Sequence, residues 1–268
     1  IPNRGLINIG TNPDAEAAAI DYAQRSGIPY RPIEQLNAVD AEFGQKAARE
    51  YELMRHNPED PLVRESYGQM KKEVAGQYEA MLRQGVRPEF DLNPYPSSPY
   101  ESLVDLIENK RLKVFPTSAG YGPNGIPKDI SQNPMLEMSE YTISGQPATY
   151  NDLFRAVHDF QGHSKAGAGF RAAGEDNAYL SHAGTMGSVA RKALATLQRK
   201  VHQSYMLDSR DLTSLDQVII QGLKEQLTMQ ETCVLYITRP DQLPVSTLMS
   251  MEKDYLDELS KNATEQLA

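Results

Sequence analysis

The segment "LVRESYGQMKKEVAGQYEAMLRQG", residues 62–85, constrains the fold most. Leu62, Val63, Tyr67, Met70, Val74, Tyr78, Met81 and Leu82 recur at helical spacing. A helix here presents one apolar stripe, which must be buried against other elements. Large side chains in such a stripe are expected to be core rather than a cofactor box. Pro58 and Pro61 break the chain before this helix and Gly85 ends it. Two earlier segments, "TNPDAEAAAIDYAQRSG" and "NAVDAEFGQKAAREYELMRHNPEDP", repeat the signal of cap-type residues with a closing glycine or proline. The three predict an antiparallel helical hairpin with an added arm.

The texture then changes. "RPEFDLNPYPSSPY" carries four prolines, which forbid regular helix and predict an extended strap across the surface. A short helix at "ESLVDLIENK" and a strand at "LKVFP" follow. "TSAGYGPNGIPKDISQNP" is long enough, with its glycines and prolines, to suggest a lid or binding loop. In "MLEMSEYTISGQPATY" the pair Ser144-Gly145 marks the turn of a small hairpin. From Tyr150 the chain is helical again, with Asn151 or Asp152 expected at the cap. "SKAGAGFRAAG" is too rich in glycine for helix, "EDNAYLSHAG" starts a new one, and a kink is expected at Gly184 and Gly187. The expected fold is mainly α: a helical bundle-like single domain with a small β-hairpin and long Pro/Gly-rich loops. Its parts are a helical region at 1–86, a strap, short helix, loop and hairpin at 87–149, and a second helical region at 150–268.

A net charge of -9 repels phosphate backbones and anionic lipid at long range. No broad nucleic-acid surface is expected, and the basic stretch "RKALATLQRK" fits a solvated helix face. Cys233 is the only cysteine, so an intrachain disulfide and a zinc-thiolate cluster are excluded. It is expected to be buried and inert. No apolar run approaches the roughly 20 residues that span a bilayer, and the start lacks the features of a secretory signal. These points predict a soluble protein with no membrane partner, in a reducing compartment.

The residues with the most chemistry lie in "VHDFQGH", residues 157–163. His158 and His163 are five apart, so on an ideal helix they point about 140° away from each other. Gly162 sits where the helix can end or loosen, which lets His163 swing back toward His158. Asp159, next to His158, can orient an imidazole or bind the metal itself. Glu175 and His182 are two helical turns apart and share a face. Three of the five histidines fall within residues 158–182. The expected site is a divalent metal held by His158, His163 and Glu175, with Asp176 and Glu231 as competing carboxylates. Asp159 and His182 are the expected catalytic groups, His182 serving as fourth ligand or base. Two imidazoles and one carboxylate favour Fe(II), whereas a third imidazole shifts the choice toward Zn(II). Arg155 and Arg171 flank the motif and suit surface ion pairs, or an anionic substrate group. His56 and His202 are expected at the surface. Phosphate-loop, dinucleotide and nucleophile-elbow spacings are absent.

"HDFQGH" resembles the H-E-x-x-G-H motif of the aromatic amino acid hydroxylases, in which both histidines bind a non-haem iron completed by a more distant glutamate. The resemblance covers about six residues and implies iron at His158 and His163. The chain departs from the family downstream, with no glutamate between Glu175 and Glu225. Over a longer course, from "MRHNPEDPLVRESYGQMKKEVAGQYEAML" through "VFPTSAGYG" to "FRAVHDFQGHSKAGAGFRAAGEDNAY", the chain is similar to proteins and domains of tailed bacteriophages, some within very large virion-associated polypeptides. That similarity implies the cytoplasm of an infected host cell or the phage virion, and other virion proteins as partners. The pair His158-Asp159 also resembles the HD-domain phosphohydrolases, whose upstream histidine only His56 supplies. The function expected first is a phage-encoded mononuclear iron oxygenase or hydroxylase-like enzyme acting on a small molecule or nucleoside. The alternatives are a virion or assembly protein, with a structural metal or none, and an HD-type phosphohydrolase.

Overall fold

The computed structural model describes residues 10–32, 58–95, 99–121, 126, 128–130, 133–170 and 172–195. Within them the chain is mainly α. Helix α1 (Pro13–Ser26) starts as its sequence dictates: the Asn12 side chain accepts from Asp14 N, and Gly27 closes the helix at φ 66°. Its buried face is Ala15, Ala18, Ala19, Tyr22 and Ala23, mostly small side chains that allow a neighbouring helix to approach closely. That neighbour is α2 (Pro61–Arg83), capped by Asp60, whose carboxylate accepts from Leu62 N at 2.8 Å and Val63 N at 3.3 Å.

The α2 stripe is buried as its spacing requires, with Tyr67, Met70, Val74, Tyr78 and Met81 at no more than 1% exposure. Burial of each such side chain contributes about 1.5–3 kcal/mol. Leu82 departs from the expectation and lies 39% exposed. Ser66, Glu73 and Gln77 are buried on the same helix instead, because α2 is covered on two sides.

The proline-rich strap is partly a strand. Arg87–Phe90 forms β1 and pairs in parallel with β2 (Arg111–Val114), Arg87 opposite Arg111 and Phe90 opposite Val114. Pro88 is tolerated because this pair has no third strand among the described residues. Between them lie α3 (Pro99–Val104) and a π-helical turn, Asp105–Asn109. The long loop is shorter than expected, since Thr117–Gly120 is helical (α4) and Pro134–Leu136 is a 3-10 turn.

The hairpin pairs β3 (Met138–Ile143) with β4 (Gln146–Thr149). Its turn, Ser144 at φ 51° and Gly145 at φ 73°, has two left-handed residues, as a tight hairpin requires. The fourth strand leads directly into α5 (Tyr150–Val157). Helix α6 (Ala172–Ala183) then crosses the segment that follows α5. A break at Gly184–Gly187 separates α6 from helical residues 188–195. Among the described residues, no helix is long and apolar enough to cross a membrane.

The expected helix before Pro58, with His56, lies outside the described residues, as do Arg171, His202, Glu231, Cys233 and the side chain of Asp176.

Candidate metal centre

Helix α5 is capped two or three residues earlier than Asn151 or Asp152 would place it. Thr149 is the cap: its hydroxyl accepts from Asp152 N, and the Asp152 carboxylate accepts from Thr149 N at 2.8 Å, closing a capping box. The other Asp152 oxygen accepts from Thr117 N at 2.8 Å, which pins α4 to the start of α5.

The decisive local feature comes next. His158–Ser164 is a π-helical turn, in which backbone bonds reach five residues along rather than four. Residues five apart therefore become stacked neighbours, and His158 and His163 meet at a ring-centroid distance of 4.7 Å, edge to face at 82°. Gly162 is needed for this. A Cβ there would lie 3.0 Å from the Ala178 carbonyl on α6 and 3.0 Å from His158 Nδ1. At Gly174 a Cβ would overlap the backbone of Gly169, which lets the loop pack against the start of α6. Helix α6 starts at Ala172, three residues before the helix expected from Glu175.

Helix α6 delivers Glu175. Its Oε2 lies 3.6 Å from His158 Nε2 and 3.6 Å from His163 Nε2, and one ligand atom from each of the three residues falls within 4.8 Å of the other two. The tautomer of His163 follows from its second nitrogen. Nδ1 faces the Ala168 carbonyl at 3.2 Å, so it carries a proton, and Nε2 is the nitrogen left toward Glu175, a second N–H donor when the ring is protonated and a metal ligand when it is not. Burial works against protonation of His163, but Glu175, then Asp159 and the Ala168 carbonyl outweigh it and raise its pKa above that of an ordinary imidazole. Phe170 packs edge-on against His163 at 4.8 Å, and Phe154 stacks on His158 at 5.7 Å.

His182 lies behind this group rather than in it. It is fully buried, stacked on Phe154 at 5.8 Å and 5.8 Å from the His158 ring. Gln77 Nε2 donates to Thr185 Oγ1, so Gln77 Oε1 faces His182 Nε2 at 2.9 Å and that nitrogen is the donor. Burial, followed by the charges of His158 and Lys165, holds its pKa well below the usual imidazole range. His182 is therefore neutral.

Asp159 is half-buried outside the three-residue group, and its charge acts on His163, Arg155 and Tyr95. Arg155 corrects the expectation of a surface ion pair. It is buried, donates to the Phe115 carbonyl and lies over the Phe115 ring at 5.4 Å. Burial lowers its pKa to about 10 against the pull of Asp152 and Asp159.

Sequence reasoning passed over Gln77, Gln161 and Thr185, all buried and bonded around the centre. A signal existed for Gln77, which lies seven residues after Met70, three after Val74 and four before Met81 and so falls on the buried side of α2. No family model, curated protein or solved structure matches this chain.

Proposed function

We propose that this chain is a metal-dependent enzyme with one ion held by His158 Nε2, His163 Nε2 and the Glu175 carboxylate. One observation carries the reading: two imidazole nitrogens on a distorted helix face the same carboxylate oxygen at equal distances of 3.6 Å. The donor set fits a metal, since His163 is held by its other nitrogen in the tautomer a ligand needs. Two imidazoles and one carboxylate suit Fe(II) with positions left for oxygen and substrate, and Zn(II) is the second choice.

The chain's own groups divide the remaining work. Glu175 and His163 hold the negative and neutral donors in place. Asp159, half-buried and near enough for its charge to act on His163, is the group to which we assign proton uptake at the edge of the centre. Neutral His182 cannot act as an acid and packs against the His158 ring. The substrate class we propose is a small molecule or nucleoside, and the setting is a bacteriophage protein made in an infected cell.

A second reading has its own observation. The three side chains are only 9%, 5% and 14% exposed, which suits a structural zinc in a virion or assembly protein. For an HD-type phosphohydrolase, His158-Asp159 supplies only the pair.

The test is metal analysis of protein purified aerobically and anaerobically, with turnover screened on amino acids, nucleosides and modified bases. We expect about one ion per chain, and its loss in Glu175→Ala with helix content unchanged. Retention of stoichiometric metal by that variant overturns the assignment of Glu175 and moves it to Glu231.

A further inference from the structure

Gln161 lies between the two ligand histidines and is gripped twice by the chain beyond it. Ser181 Oγ donates to the Gln161 carbonyl at 2.8 Å, and the Gln161 side-chain amide lies 3.2 Å from Thr185 Oγ1, to which its NH2 group donates with the amide turned, since the one Thr185 proton goes to the His182 carbonyl. The same Thr185 hydroxyl accepts from Gln77 Nε2 at 3.0 Å and donates to the His182 carbonyl at 2.7 Å. Gln77 in turn accepts from His182 Nε2. Gln77, Gln161, His182 and Thr185 are all fully buried, so no solvent competes for these bonds.

The consequence is that one hydroxyl holds two things. Through Gln161 it braces the π-helical turn whose wider register brings His158 and His163 together. Through Gln77 and the His182 carbonyl it fixes the imidazole that packs against His158 and shares Phe154 with it. A π-helical turn has poorer intrinsic stability than regular α-helix and persists where its surroundings enforce it.

We propose that Thr185 is a positioning residue of the metal centre, acting through Gln161 and His182 rather than by contact with the ion. This rests on the metal reading above. Outer partners of this kind change metal affinity by about 10–100-fold when removed.

The test uses Co(II) alone as the probe, titrated into the full chain and read by its visible absorption. Thr185→Val keeps the shape and removes the hydroxyl; Thr185→Ser keeps the hydroxyl. We expect Thr185→Val to bind Co(II) about 10–100-fold more weakly with an altered visible spectrum, and Thr185→Ser to match the natural protein in both. A role in packing alone would lower the unfolding midpoint and leave the spectrum unchanged. If Thr185→Val binds with unchanged affinity and spectrum while the natural protein binds Co(II), the positioning role is overturned and the metal reading stands. If the natural protein binds no Co(II), the metal reading falls and takes this inference with it. Should Thr185→Val not fold, Gln161→Met, which keeps the backbone bond to Ser181, is judged by the same two readouts.

Discussion

Glu73, on the buried side of α2 at 4% exposure, shows what a single residue contributes where the helices meet. Its carboxylate accepts from Gln69 Nε2 at 2.9 Å and from Gly187 N at 2.8 Å, joining α2 to the break after α6. Burial raises its pKa, and the two hydrogen bonds and Arg191 only partly oppose the shift. The folded state therefore holds the proton to higher pH than the unfolded chain does. Stability from this group is complete below the unfolded pKa and is lost as pH rises through the folded one. Glu73→Gln keeps an acceptor for Gly187 N but has no charge to desolvate. Relative to the natural protein, the variant should gain stability as pH rises from about 4 to about 7, measured by urea unfolding at each pH. A difference independent of pH would show that Glu73 is ionised at no unusual cost.

At the scale of elements, the π-helical turn is the part of the fold on which the site depends. The start and stop of α1 and the break before α2 were legible because Asn12, Pro13, Gly27 and Pro61 act on their own neighbours. Ser144-Gly145 marked its hairpin turn for the same reason. The strand at Arg87–Phe90 was hidden by Pro88, whose usual meaning changes when the strand pairs on one side only. The π turn was half legible. His158 and His163 had the wrong phase for a regular helix and Gly162 marked where it gives way, but the hydrogen-bond register is set by α6 packing across the turn, which lies outside the local sequence. Gly162→Ala tests this dependence. Its methyl would meet the Ala178 carbonyl and His158 Nδ1 at 3.0 Å, too close for either to stay in place. We expect a loss of about 1–3 kcal/mol in chemical unfolding together with weakened metal binding. Undiminished metal affinity in a folded Gly162→Ala protein would mean that the two rings do not need the observed turn.

Across the molecule, the candidate site is where distant parts of the chain converge. Helix α5 and the π turn supply His158 and His163, α6 supplies Glu175, and α2 supplies Gln77 from 105 positions before His182. The three candidate ligands could be picked out in the sequence because they lie close together in it. Their support could not, since Gln77 and Thr185 meet only after the helices pack. Crystals grown with Fe(II) under anaerobic conditions, or with Zn(II), and measured at the absorption edge of the metal give the most direct test of one ion shared by three side chains. We predict a single anomalous peak between the two rings and the carboxylate, about 2.0–2.2 Å from His158 Nε2, His163 Nε2 and a Glu175 oxygen. Metal-loaded crystals with no peak there, or with the ion held by other residues, would contradict the account.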